Sequence, residues 1–140
     1  MNAFIKLNKG MLSVPLGWKL WLMVLVVHNM MVPLFYLGRL EAQVVLGAML
    51  AGMGLMTLIT ARAGYTRLLG LGHILWIPLL AWLWTRLQGI PAGDIYGFWV
   101  RSLIVVNAIS LVIDTVDVIK YIAGDREETV KVVPVAERPL

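Results

Sequence analysis

Phe98–Tyr121, FWVRSLIVVNAISLVIDTVDVIKY, has the length and apolarity of a membrane-spanning helix, yet it carries Asn107, Ser110, Asp114 and Asp117. At helical spacing these four and Tyr121 share one face, while Leu103, Val106, Ile109, Val112, Ile113, Val116 and Ile119 cover much of the remainder. A polar stripe is costly against lipid, so it should face protein, water or a ligand. The segment therefore calls for a bundle around it, and the rest of the chain supplies one.

Three more long apolar runs precede it: about Trp18 to Tyr36, Leu40 to Thr60 and Leu68 to Leu87. Of the 140 residues, 60% are hydrophobic and 14% charged, with a mean hydropathy of +0.84. A soluble domain carries about 25% charged residues, and the deficit here lies in the four runs. The sequence thus predicts an all-α integral membrane protein, a four-helix bundle running up-down-up-down with short loops. Residues 1–124 form one domain, beginning with a short N-terminal interfacial segment that includes Lys6 and Lys9, and residues 125–140 form a charged tail. The first apolar run is too long for a signal peptide and lacks a small-x-small cleavage site after it, so it is expected to be retained. Val130–Val135 is the one stretch with the look of a brief strand, opposed by Pro134.

The net charge of +4 sits at the ends of the apolar runs, where snorkelling and lipid headgroups account for it without nucleic acid. Four spans put both termini on one side. Lys6, Lys9, Lys19, Arg62, Arg67, Lys120, Arg126, Lys131 and Arg138 fall there, against Arg39, Arg86 and Arg101 on the other. This bias assigns both termini to the cytoplasm, most simply of a bacterial inner membrane. No cysteine is present, which removes disulfides and thiolate chemistry.

The second run contains Gly47-x-x-x-Ala51 and Ala48-x-x-x-Gly52, a spacing that lets helix backbones approach inside this protein or between copies. Met49, Met53 and Met56 read as packing rather than metal ligands. Pro33 should bend the first span and Pro78 should kink the third. Gly70-Leu71-Gly72-His73 lacks the strand, the longer glycine pattern and the lysine of a nucleotide loop.

Ligand or proton-pathway candidates are the polar residues inside the spans: Asp114, His73, Asn107, His28, Asn29 and Asp117. His73 and Asp114 each lie about five residues inside the cytoplasmic ends of their segments, so they are expected at one depth, where a hydrogen bond would lower the cost of burial. His28, Asn29 and Asn107 define a second level near the midplane. Asp117 is expected to pair locally with Lys120, and Arg86 and Arg101 to reach the opposite headgroups.

The simplest function for such a chain is a structural or accessory subunit of a membrane assembly, without enzymatic activity, in contact with lipid and with copies of itself or a larger complex. The alternative is an oligomeric transporter or proton- or cation-linked channel using Asp114 with His73. Two further readings are a haem or metal protein using His28 and His73, or one of them alone, and a lipid-modifying protein in which Asp114 and Asp117 hold a divalent cation. The two histidines are expected about five residues apart in depth, which strains a shared haem. A hydrolase reading lacks a serine with a positioned base, since neither Ser13 nor Ser102 has one. No cofactor is predicted.

Overall fold

A computed structural model describes residues 2–129. Four helical stretches are long and apolar enough to cross a bilayer: Leu16–Phe35, Leu40–Ala63, Arg67–Gly89 and Ile95–Ile122, of 20, 24, 23 and 28 residues. Each meets the roughly 20 residues that a hydrocarbon core of about 30 Å demands. The fold is the all-α, membrane-spanning four-helix bundle that the apolar runs predict. Lipid takes the place of water around it, so helices are held by close packing and polar bonds rather than by expulsion of apolar surface. Accordingly the outward faces remain apolar: Phe35, Phe98, Val112 and Ile122 are all exposed.

Two spans are continuous. α4 (Leu40–Ala63) and α6 (Ile95–Ile122) are unbroken α-helices. α6 turns Tyr96, Trp99, Val100, Leu103, Asn107 and Ser110 inward, so the face carrying the upper polar stripe packs on protein. Around it a core of Leu25, Val45, Met49, Trp76, Leu79 and Leu83 closes the bundle.

The other two spans change helix type where their polar residues sit. α2 (Leu16–Val26) opens into a π turn over Val27–Met31 before resuming as α3 (Val32–Phe35). Pro33 explains the position: it has no amide to donate to the Asn29 carbonyl, and its ring crowds that carbonyl. The Val32 amide instead reaches the Val27 carbonyl, five residues back. Two side chains offset the disturbance, His28 Nδ1 donating to the Val24 carbonyl at 2.9 Å and Asn29 Nδ2 to the Leu25 carbonyl at 3.0 Å.

The third span begins as a 3-10 helix, Arg67–His73, and becomes α5 (Trp76–Arg86) only afterwards. The expected kink at Pro78 is therefore displaced. Pro78 lies in the first turn of α5, where a missing amide costs no intrahelical bond, and the irregularity precedes it. Its cause is packing on both sides. A Cβ on Gly70 would stand 2.8 Å from the Asp114 carbonyl oxygen of α6, and one on Gly52 of α4 would stand 2.8 Å from the Gly72 carbonyl oxygen. The slim, glycine-bearing segment is wedged between the two continuous helices.

Gly52 thus realises the close approach expected of the small-residue helix. Its neighbours divide: Ala48 packs on the core, whereas Gly47 and Ala51 face outward, with open space beyond Gly47. The N-terminal segment forms α1 (Ala3–Ser13), capped by the Asn2 side chain. It buries Leu7 with Met56 and Leu69 and lays Gly10 on the Tyr65 ring. Residues 125–129 return to the same end of the bundle, where the Thr129 amide donates to the Tyr65 carbonyl at 2.9 Å. The strand suggested for Val130–Val135, and the rest of the tail, lie outside the described residues.

Candidate functional site

The wedge of the 3-10 helix against α6 sets the main constellation. With Gly70 seated on the Asp114 backbone, His73 one turn later brings Nδ1 to 2.8 Å from Asp114 Oδ2. The imidazole also stacks on Trp76, centroid to centroid 4.0 Å at 22°. Sequence depth alone aligned these two residues; the structure joins them. The side chains are 14% and 17% exposed, so the pair is sheltered yet reachable.

It is reachable because it lines a cavity of about 680 Å³ between α1, α2, the 3-10 helix and α6. The apolar wall includes Met11, Trp18, Trp21 and Leu25. The groups there that carry or titrate charge are Tyr65, Arg67, His73, Asp114, Asp117 and Lys120. Burial raises the Tyr65 hydroxyl above the usual phenol range, so it stays protonated.

Asp117 departs from expectation. It takes its ion pair from Arg67 rather than from its own helix neighbour Lys120, and the same guanidinium donates through Nε to Asp125 at 2.9 Å. The positions explain this: Arg67 starts the 3-10 helix directly beside the last turns of α6, within reach of both acids, whereas Lys120 is exposed. A cation held between Asp114 and Asp117 would have to displace His73 from one and Arg67 from the other. Among the described residues no group of three or more His, Cys, Asp or Glu side chains could hold a metal ion.

The second level forms as two separate clasps. Asn29 and Asn107 exchange amide hydrogen bonds, both at 2.8 Å, with neither residue exposed. His28 does not continue this pair. Its Nδ1 hydrogen is committed to the Val24 carbonyl, so Nε2 is the acceptor, and the Ser102 hydroxyl donates to it at 2.7 Å. Trp99 Nε1 donates to the His28 carbonyl at 3.0 Å. Ser102 therefore does have a positioned imidazole, contrary to expectation; the π turn rotates His28 toward α6 in a way helical periodicity misses. Neither His28 nor Ser102 lines the cavity.

The histidines are also further apart than expected. His28 meets α6 at residue 102 and His73 at residue 114, a difference of twelve positions, or about 18 Å along a helix rising 1.5 Å per residue. Two axial ligands of one haem cannot span that interval, and both His28 nitrogens are already engaged.

A third constellation lies at the opposite end and was not among the sequence candidates. Glu41, at the start of α4, is buried. Its Oε1 accepts from Arg86 Nε and Nη2 at 3.0 and 2.9 Å, and its Oε2 accepts from the Tyr96 hydroxyl at 2.8 Å. Arg39 sits over the Tyr96 ring, 4.1 Å from its centroid. Arg101 turns inward as well, donating to the carbonyls of Gly97, Ile90 and Leu87. Arg86 and Arg101 thus tie loops together instead of only reaching headgroups. One signal was available: Glu41 opens the second span and Arg86 closes the third, which puts opposite charges at one membrane end.

Between the two ends lies an apolar layer, with Val45, Leu83, Val100 and Leu103 wholly buried. The molecule is a small four-span membrane protein with a largely apolar cavity that carries charged groups at one end and an ionic cluster around the buried Glu41 at the other. No family model, curated protein or solved structure matches the chain.

Proposed function

We propose that this protein is a proton-linked membrane transporter of the carrier type, with the His73–Asp114 pair as its proton-binding element. The observation that carries the reading is that this hydrogen-bonded acid–base pair forms part of the wall of a cavity of about 680 Å³. A bond that served only to lock helices together would need no such access, as the enclosed Asn29–Asn107 pair illustrates. That contrast favours transport over a purely structural accessory subunit. The buried apolar layer of Val45, Leu83, Val100 and Leu103 favours a carrier, loaded from one side, over an open channel.

The described basic residues support a cytoplasmic assignment for the α1 end, in a bacterial inner membrane. Lys6, Lys9, Lys19, Arg62, Arg67, Lys120 and Arg126 belong to it, against Arg39, Arg86 and Arg101 at the other. The reading also includes a homo-oligomer, with the outward row of Gly47 and Ala51 as the expected contact.

The test is proton uptake after a pH jump on the purified protein in nanodiscs, followed by infrared difference spectroscopy of its carboxyl groups. Wild type should gain a protonated-carboxyl band that disappears in Asp114→Asn, while Asp117→Asn, whose partner is Arg67, keeps it. A band unchanged in a folded Asp114→Asn variant would return the protein to the accessory class.

A further inference from the structure

We infer that the cavity takes a lipophilic organic cation, its charge at Asp114 and its apolar body against Trp18, Trp21 and Leu22 of α2, in exchange for the proton of the His73–Asp114 pair. The inference rests on the proton-linked reading above and names the substrate class of the same site.

Charge complementarity comes first. Among the described residues, the cavity and the groups tied to it carry three formal positive charges, Lys6, Arg67 and Lys120, and four carboxylates, Asp114, Asp117, Asp125 and Glu128. With His73 neutral the sum is one negative charge. Arg67 is occupied by Asp117 and Asp125, and Lys120 is exposed on the last turn of α6, so the deficit centres on Asp114, which among the described residues pairs with His73 and with no Lys or Arg. A proton on the pair brings the sum to zero; so does a monovalent cation. The exchange therefore balances: as the cation enters, one proton leaves for water, and the site's net charge is the same before and after.

The wall supplies the rest of the specificity. α1 and α2 contribute no charged side chain to the lining, only Leu7, Met11, Trp18, Trp21, Leu22 and Leu25. Indole and phenol rings attract cations as well as apolar groups, and an aromatic wall facing a carboxylate is the usual chemistry for organic cations. A small hydrated metal ion would have no use for that wall.

The experiment uses tetraphenylphosphonium as the probe and isothermal titration calorimetry on the full chain in nanodiscs, in buffers of different ionisation enthalpy so that protons are counted. The pair's own titration is first located by infrared spectroscopy without ligand. Across that range, apparent affinity should rise with pH by up to about tenfold per unit, with one proton released per cation. Asp114→Asn should abolish the proton release, and Asp114→Glu should restore it, which separates chemistry from misfolding. Trp18→Ala should weaken binding about tenfold, whereas Trp84→Ala, exposed at the far end, should match wild type. If the pair titrates but the cation does not bind, or binds without releasing a proton, the cation inference is overturned and the proton-linked reading stands. Displacement of the pair's proton signal by oleate but not by tetraphenylphosphonium would overturn it in favour of an anionic amphiphile at Arg67 and Lys120. If the pair does not titrate at all, both readings fall together.

Discussion

Replacing Gly70 by alanine tests the packing on which the His73–Asp114 contact depends. The added methyl would lie 2.8 Å from the Asp114 carbonyl oxygen and 3.1 Å from both its Cα and Cβ. Comfortable contacts begin near about 3.5 Å, so the 3-10 helix must retreat from α6 by roughly half an ångström, and the obstacle is backbone that cannot rotate away. A retreat of that size takes the His73–Asp114 hydrogen bond from 2.8 Å to about 3.3 Å, past the useful range. Overpacking of this kind costs about 1–3 kcal/mol, while the lower backbone entropy of alanine returns about 0.5–1 kcal/mol. Gly47→Ala isolates the steric part. Gly47 is helical with open space around its Cα, so that variant should be stabilised by about 0.5–1 kcal/mol. The difference between the two variants should then be about 1–3 kcal/mol, because the propensity gain cancels. Reversible unfolding in mixed detergent micelles measures the energies, and 15N NMR of the His73 ring reports the bond. Equal stability of the two variants, with an unaltered His73 signal, would refute the wedge as the element that sets the site.

Three further outcomes follow from other contacts. Asn29→Ala should destabilise by about 1–3 kcal/mol, because it strands the buried Asn107 amide; the Asn29→Leu, Asn107→Leu double variant should recover most of that in the same unfolding assay. Glu41→Ala leaves both Arg86 and the Tyr96 hydroxyl without their shared acceptor and should cost about 2 kcal/mol, whereas Lys6→Ala, at a half-exposed ion pair with Glu128, should cost less than about 1 kcal/mol. Gly47→Leu should preserve the bundle yet disrupt association between copies in cross-linking, while Gly52→Leu should collapse the bundle itself, since its Cβ meets the Gly72 carbonyl; association unchanged in Gly47→Leu would remove this face as the contact.

The sequence by itself determined the membrane class, the number of spans and their approximate limits, because length and apolarity answer to bilayer thickness and need no tertiary contact. It also determined that the stripe from Asn107 to Asp117 should face protein, water or a ligand, since lipid penalises the alternative, and that His73 and Asp114 share a depth. Periodicity of a regular helix, however, assumes one rotation per residue. The π turn at Val27–Met31 and the 3-10 helix at Arg67–His73 break that assumption at the polar positions, so the pairing of His28 with Ser102 and of Arg67 with Asp117 escaped it. Glu41 escaped for another reason: a single acid in a short connection has no pattern, and its burial appears only when Arg86 and Tyr96 converge from two other helices. Only the tertiary structure decided which face of the small-residue helix packs inside, at Gly52, and which remains outside, at Gly47. It alone decided that the His73–Asp114 bond opens onto a cavity, because a void belongs to the gap between helices and to no single stretch of chain.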